Sequence, residues 1–223
     1  MTKIILFDID NTIMNFDECA RLAIKQACAD FDLPFDDSIH NVYLEINALL
    51  WQRIESGVLA RQDMYKIRWQ MIFDKLDIKR DGKSFEPLFL SNLAKQSVLV
   101  DGAKDVLAYL TPKYTLCVAS NAPYEQQLQR LQNAGIKQFF DEFFISEKVG
   151  HQKPTKEFFD FCFDRLGNPQ KQDVMIIGDS LTADISGGKS YGIKTCWFDR
   201  YNTKQNVDAD FYITKLEQLK DIL

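Results

Sequence analysis

The chain has 223 residues and a formal net charge of -5. Binding to a polymeric nucleic acid needs a concentrated basic surface, which this acidic balance does not favour. Hydrophobic residues make up 46% of the chain, so a sizeable core can be buried and disorder is not expected. The N-terminal apolar run is too short for a signal peptide or a membrane span. We therefore expect a cytoplasmic protein with no membrane partner.

The first predicted element is a buried strand over Ile4–Ile9, which ends at Asp10. The stretch 16–95 then shows helical periodicity and no convincing strand. Apolar residues recur at helical spacing over Ser38–Glu55 and again over Arg61–Leu76, so each is predicted to be a helix. An all-helical block inserted after the first strand of a sheet is a candidate cap or lid.

Strands and helices alternate in the rest of the chain. Further apolar runs that end in polar residues predict buried parallel strands at Thr115–Ala119, Val174–Ile177 and Thr195–Phe198, with a weaker candidate at Phe143–Ile145. Helices are predicted at Tyr124–Ala134, Lys156–Leu166 and Thr182–Tyr191, each followed closely by a glycine. This pattern predicts an α/β fold: a Rossmann-like open parallel sheet core of residues 1–15 and 96–223, with an inserted all-helical cap domain of residues 16–95.

Ligands of open α/β sheets bind beyond the carboxyl ends of the strands, so polar residues that follow the strands are the candidate site residues. They are Asp8, Asp10, Thr12, Ser120, Asn121, Asp179, Ser180 and Asp184, with Lys153 from a neighbouring loop. Asp8, Asp10 and Asp179 are expected to bring at least three carboxylates into one small space, where they repel one another unless a cation neutralises them. A set of oxygen donors without His or Cys selects a hard ion such as Mg²⁺. A nucleophilic carboxylate beside such an ion and a lysine is suited to phosphoryl transfer.

Four short motifs follow one another along the chain in a recognisable order. They are Asp8-Ile9-Asp10-Asn11-Thr12, Ser120-Asn121, Lys153-Pro154, and Gly178-Asp179-Ser180 continuing to Asp184. Together they resemble the four signature motifs of the haloacid dehalogenase-like hydrolase superfamily, and they span the whole predicted core. The helical insert lies where the smaller-cap subclass of that superfamily places its cap.

The resemblance implies the chemical role of each motif residue. Asp8 would be the nucleophile that forms an aspartyl phosphate, and Asp10 the general acid that later activates water as a base. The residues implied to hold or neutralise the phosphoryl group are Thr12, Ser120, Asn121 and Lys153. True dehalogenases of the superfamily lack the second aspartate of the first motif, so Asp10 favours phosphate chemistry over carbon–halogen cleavage.

The same resemblance implies a set of magnesium ligands. Asp179 would bind Mg²⁺ together with Asp8 and the backbone carbonyl of Asp10. Asp184 would either bind the ion directly or hydrogen-bond to the residues that do. Alternatively, it could cap or solvate the following helix.

Residues that flank the motifs carry a closer resemblance. They are Asn47 with Leu50-Trp51, Ile145 through Gly150, and Thr195-Cys196-Trp197, and they are similar to a bacterial branch that acts as pyrimidine 5′-nucleotidases. The substrate implied is a nucleoside 5′-monophosphate. Asn47 and Trp51 in the predicted cap are the candidate specificity residues, although the helical spacing of Trp51 and Trp69 favours packing over base stacking.

Other functions remain open at this point. The same core motifs serve a phosphosugar or phosphoglycolate phosphatase, and phosphosugar mutases retain the same aspartate pair. A non-catalytic binding protein on this fold is a third possibility, but a pure binder has no need of the general acid Asp10. In every case the expected partner is a small phosphorylated metabolite, and the expected assembly is a monomer or a homodimer.

Overall fold

A computed structural model of the chain describes residues 2–203 and 205–223. Those residues form two compact units, one comprising residues 2–15 with 97–223 and the other comprising Phe16–Gln96. We call them the α/β unit and the helical unit. Within the described part of the chain, no helix is both long enough and apolar enough to cross a membrane.

The α/β unit is built on one parallel sheet. Its strands are β1 (Ile4–Phe7), β2 (Thr115–Ser120), β3 (Glu142–Ile145), β4 (Val174–Gly178), β5 (Lys194–Phe198) and β6 (Phe211–Ile213). Their order in the sheet is β3-β2-β1-β4-β5-β6, and all neighbouring pairs are parallel. The predicted open parallel sheet is therefore confirmed. The last strand, β6, was not predicted, because it has three residues and one of them, Tyr212, is exposed.

Ten helices lie in the described residues. Those of the helical unit are α1 (Phe16–Asp30), α2 (Asp37–Glu55), α3 (Arg61–Lys75) and α4 (Gly82–Leu93). Those of the α/β unit are α5 (Ala103–Leu110), α6 (Tyr124–Asn133), α7 (Ser146–Val149), α8 (Lys156–Arg165), α9 (Gly187–Tyr191) and α10 (Leu219–Ile222). The predictions for α2, α3, α6 and α8 are confirmed to within one residue at each end.

Both faces of the sheet are covered by apolar side chains, because successive residues of a strand point to opposite faces. Ile5 and Phe7 of β1 pack in a cluster that includes Val106 of α5. Leu6, between them, packs in a second cluster that includes Phe158 of α8. A strand buried on both faces needs apolar residues at every position, which explains the continuous apolar runs in the sequence.

The predicted helix Thr182–Tyr191 was wrong in its first half. Leu181–Ser186 is a π-helical turn, and only Gly187–Tyr191 is α-helical. The wider turn brings the Ile185 amide to the Ser180 carbonyl at 3.2 Å, while the Ser180 hydroxyl accepts the Ala183 amide at 3.0 Å. Short π-helical turns occur mostly within helices and are frequent at functional sites.

The helical unit has an aromatic core of its own. Trp69 lies at its centre, with its ring centroid 4.3 Å from Phe85, 5.2 Å from Phe89 and 5.6 Å from Tyr43. The start of α4 lies close against α3, because a Cβ at Gly82 would lie 2.3 Å from the backbone nitrogen of Gln70. Only glycine allows that approach, so the packing of these two helices depends on it.

Candidate active site

The candidate site lies at the carboxyl ends of the three central strands of the α/β unit. β1 is flanked by β2 and β4, and Phe7 is in register with both Val118 and Ile177. The polar residues that follow these strands therefore meet at one edge of the sheet. The chain runs outward from β1 in both directions, which makes this edge a topological switch point, where open α/β sheets bind their ligands.

Lys153 is a buried cation that contacts two acidic residues of the site. Its side chain is 1% exposed, and its Nζ donates to Asp8 Oδ1 at 2.8 Å and to Asp184 Oδ1 at 2.7 Å. The other lysine of this loop region, Lys148, is exposed and lies over the Tyr124 ring. Of the two lysines, Lys153 is therefore the one beside the carboxylates.

The backbone of Lys153 is held by the side chain of Asn121. Asn121 Nδ2 donates to the Lys153 carbonyl at 2.9 Å, and the Lys153 amide donates to Asn121 Oδ1 at 2.9 Å. These two bonds fix the loop before α8 against the end of β2. The sequence predicted a phosphate contact for Asn121; the structure adds that it positions the lysine.

Three carboxylates form a cluster that could hold a metal ion. Asp8, Asp179 and Asp184 each offer an oxygen, and these oxygens lie within 4.8 Å of one another. Asp184 is fully buried, and it fits only because residue 178 is glycine: a Cβ there would lie 2.0 Å from Asp184 Oδ2. An all-oxygen donor set of this size fits Mg²⁺, which binds proteins through a few carboxylates and keeps several waters.

Burial governs the electrostatics of this cluster. Burial raises the pKa of Asp8, Lys153 lowers it and Asp184 raises it, and the net result is a pKa of about 7. Burial also raises the pKa of Asp179 well above its usual value, and the charges of Asp8 and Asp184 add to the effect. Burial alone would lower the pKa of Lys153, but Asp184 and Asp8 outweigh it, and the pKa is raised. Since one lysine does not offset the repulsion among three acids, the cluster is suited to a further cation.

The carboxylate of Asp10 has different partners. Its Oδ1 accepts from Arg130 Nη1 at 2.5 Å, and its Oδ2 accepts from Gln127 Nε2 at 3.1 Å. The acidic side-chain cluster expected from Asp8, Asp10 and Asp179 therefore contains Asp184 in place of Asp10. The implied role of the Asp10 backbone carbonyl as a metal ligand stays a prediction.

The other predicted phosphate contacts lie around the same edge. Thr12 is fully buried, and its hydroxyl lies 3.4 Å from Asp179 Oδ1. Ser120 ends β2, and its Oγ accepts from the Ala122 amide at 3.2 Å and from Gln127 Nε2 at 3.1 Å. Both hydroxyls thus border the residues of the candidate site.

Three residues that contact this site were not recognised as site residues in the sequence. Gln127 and Arg130 bind Asp10, and the Trp197 indole donates to the Asp179 carbonyl at 3.0 Å. The available signal for the first two was their spacing of three residues on a predicted helix that starts just after Ser120-Asn121. Trp197 belonged to the flanking resemblance, but nothing in the pattern pointed to its hydrogen bond.

The two candidate specificity residues lie on α2 of the helical unit. Asn47 is buried, and its Oδ1 accepts from Arg68 Nη1 at 2.8 Å. Arg68 in turn forms a buried ion pair with Glu86. Asn47 is therefore part of a polar network inside the helical unit. Trp51 is half-buried one turn further along α2. Their role in specificity stays a prediction.

Comparison with known proteins shows which family has this fold. The family model described as haloacid dehalogenase-like hydrolase matches residues 2–192. The HAD-hydrolase YfnB of Bacillus subtilis is 34% identical over an alignment of 224 positions, which covers 99% of this chain and 95% of YfnB. The chain therefore belongs to the haloacid dehalogenase-like hydrolase family.

Particular relatives and a solved structure refine the comparison. The magnesium-bound crystal structure of YfnB matches with a TM-score of 0.93, covering 100% of this chain and 98% of that chain. The pyrimidine 5′-nucleotidase PynA of Streptococcus pneumoniae is 29% identical and covers 99% of this chain and 94% of PynA. The pyrimidine 5′-nucleotidase YjjG of Escherichia coli is 27% identical and covers 98% of this chain and 96% of YjjG.

The raised pKa of Asp8 predicts how the stability of the protein in chelator depends on pH. The pKa of Asp8 rises from 3.8, the ordinary value, to about 7 in the fold. The folded state therefore binds the Asp8 proton more tightly than the unfolded state does. This tighter binding stabilises the folded protein fully below about pH 4, and the stabilisation is lost as the pH rises to about 7. Over that window the melting temperature of the wild type should fall relative to that of Asp8→Asn, by on the order of several degrees.

Asp173→Asn is the control for this measurement. A hydrogen bond from Lys3 lowers the pKa of Asp173, so its stabilisation is instead lost as the pH falls. The loss for Asp173 lies below its ordinary pKa of 3.8. Scanning calorimetry of the three proteins in EDTA between pH 4 and pH 8 should therefore show a nearly constant difference in melting temperature between wild type and Asp173→Asn, and a pH-dependent difference between wild type and Asp8→Asn. If the difference in melting temperature between wild type and Asp8→Asn does not change with pH, the pKa of Asp8 is not raised in the fold and the prediction is wrong.

Proposed function

We propose that this hydrolase is a magnesium-dependent phosphomonoesterase that works through an aspartyl phosphate at Asp8. The observation that carries the proposal is the buried Lys153 ammonium between Asp8 and Asp184, next to the carboxylate of Asp179. A lysine in that position can neutralise both a nucleophilic carboxylate and an incoming phosphoryl group. The preferred substrates are nucleoside 5′-monophosphates with a pyrimidine base.

The proposed reaction has two steps. In the first, an oxygen of Asp8 forms a bond to phosphorus, the bond between phosphorus and the ester oxygen breaks, and Asp10 gives a proton to the leaving oxygen. In the second, Asp10 takes a proton from a water molecule, the water oxygen forms a bond to phosphorus, and the bond between phosphorus and the Asp8 oxygen breaks, which frees Asp8 and inorganic phosphate. Ser120 and Asn121 hold phosphoryl oxygens. A bound Mg²⁺ supplies positive charge that offsets the carboxylates and the phosphoryl group.

The choice of substrate rests on two relatives, PynA and YjjG, which bear the name pyrimidine 5′-nucleotidase and match over nearly the whole chain. Magnesium is supported by the oxygen donors of the acidic cluster and by the magnesium-bound structure of YfnB. The helical unit is proposed to act as the cap, with Asn47 and Trp51 as candidates for contacting the substrate. A cytoplasmic location also belongs to the proposal.

Replacement of the nucleophile tests the chemistry. Asp8→Asn should lower kcat by several orders of magnitude, because the amide cannot attack phosphorus. The assay is release of inorganic phosphate from p-nitrophenyl phosphate and UMP at saturating Mg²⁺. The matched control is Asp63→Asn, an exposed aspartate paired with Lys66, which should keep the wild-type rate. An Asp8→Asn variant that retains a tenth of the wild-type rate would rule the nucleophile out.

Removal of the metal tests the cofactor. Excess EDTA should abolish turnover of both substrates, and added Mg²⁺ should restore it. Ca²⁺ should fail to restore it, because its larger and looser coordination shell can bind Asp8 through both oxygens and so block attack. Full activity in excess chelator would contradict a magnesium requirement, and equal recovery in Ca²⁺ would contradict the proposed role of Asp8 at the metal.

Comparison of substrates tests the nucleotidase assignment. UMP and dTMP should show a higher kcat/KM than AMP and small sugar phosphates, measured at equal subsaturating concentrations. A pocket that admits a single-ring base discriminates by shape alone by about 1–3 kcal/mol, so AMP should keep weak activity. A sugar phosphate preferred by tenfold or more would replace the nucleotidase with a phosphosugar phosphatase and leave the aspartyl-phosphate chemistry in place.

A further inference from the structure

Two buried polar residues of α6 contact the site from the side of Asp10. Gln127 and Arg130 are three residues apart, so they lie on the same face of the helix. Both are 0% exposed. Leu131 shares this buried face with them and packs in the main apolar cluster of the α/β unit. A buried face of α6 thus carries an amide and a guanidinium where an amphipathic helix ordinarily carries apolar side chains.

The contacts of these two residues form one connected network. Arg130 Nη1 donates to Asp10 Oδ1 at 2.5 Å and to Gln127 Oε1 at 3.1 Å. The second bond fixes which way the Gln127 amide faces. Its Nε2 therefore donates to Asp10 Oδ2 at 3.1 Å and to Ser120 Oγ at 3.1 Å. Both oxygens of Asp10 are held from one helix face, and the same amide also holds the hydroxyl at the end of β2.

Stability alone gives little reason for this arrangement. Burying a guanidinium carries a large desolvation penalty, and replacing a buried ion pair by apolar residues of similar volume is often neutral or stabilising. Asp10 remains 27% exposed, while its partner Arg130 has no exposed side-chain surface. The network therefore keeps an accessible carboxylate in one fixed orientation by means of a cation that is out of contact with water.

We propose that Arg130 and Gln127 are positioning residues that orient Asp10 for proton transfer and hold it in register with Ser120. This inference rests on the proposed function, in which Asp10 exchanges protons with the leaving oxygen and with water. A general acid must lie within hydrogen-bonding reach of the atom it protonates. A displacement of about 1 Å can lower the rate about a hundredfold, and a carboxylate without these two partners is free to rotate.

The variants are Arg130→Met, Arg130→Lys and Gln127→Met, assayed on UMP and on p-nitrophenyl phosphate. If UMP is a poor substrate, the alkyl phosphate that the enzyme turns over fastest replaces it. Arg130→Met should lower kcat for UMP by about tenfold to a hundredfold with little change in KM, since general acid–base catalysis contributes about 10²–10⁴-fold. Arg130→Lys should recover part of the loss, because the ammonium keeps the charge but not the forked geometry.

Two readouts separate positioning from a merely structural role. The loss in kcat/KM should be larger for UMP than for p-nitrophenyl phosphate, whose leaving group departs without a proton. In an Asp10→Ala background, Arg130→Met should cause no further loss, because no carboxylate remains to be oriented. The matched controls are Arg165→Met, which removes an exposed arginine paired with Glu142, and Gln129→Leu, which removes an exposed amide of α6. Both should keep wild-type rates.

Three results would each overturn the proposal. They are equal losses in kcat/KM on the two substrates, a change in KM without a change in kcat, and a loss from Arg130→Met that is as large in the Asp10→Ala background as in the wild type. If Arg130→Met does not fold, the other two variants decide; if none of the three folds, the residues serve the core and the proposal is wrong. The activity of Asp8→Asn tests the proposed function independently of the Arg130 and Gln127 variants. Wild-type activity that depends on Asp8, together with unaffected Arg130 and Gln127 variants, refutes the positioning role alone.

Discussion

The arrangement of the site depends on the buried ion pairs that the Lys153 ammonium forms with Asp8 and Asp184. A buried lysine keeps its charge only when acidic partners compensate for lost hydration, and here two carboxylates do so. The same contact offsets part of the repulsion among the acidic side chains. Three segments are thereby joined: the end of β1, the turn after β4 and the loop before α8. The reciprocal bonds of Asn121 with the Lys153 backbone add the end of β2 to this set.

The parallel sheet brings residues that are far apart in the chain to this point. Neighbouring parallel strands end at the same edge, and β1 lies between the two strands whose following residues complete the site. Local features then set the fine geometry. Gly178 leaves room for the Asp184 carboxylate, and the π-helical turn after Ser180 sets the backbone on which Asp184 stands. The sheet thus determines which residues meet, and these short turns determine how closely.

Much of this could be predicted from the sequence. Strands buried on both faces leave unbroken apolar runs, and polar residues after Phe7, Ser120 and Gly178 mark the carboxyl ends where ligands bind. Other parts could not be predicted, for physical reasons. α4 contains Pro87, which counts against a helix in any reading of local propensity. Arg130 looks like a solvated helix residue, because its burial is decided by tertiary contacts with Asp10 that no local pattern reveals.

The two aspartates of the first motif lie two residues apart, yet the fold gives them different surroundings. Asp8 is buried against a lysine and among further carboxylates, which suits a group that binds a cation and attacks phosphorus. Asp10 is partly exposed and held by a guanidinium and an amide, which suits a group that must reach both a leaving oxygen and a water molecule. Active sites commonly divide the work of two carboxylates by placing them in unlike environments. Here the difference in environment is made by two elements outside the motif, since the loop before α8 supplies Lys153 and α6 supplies Arg130.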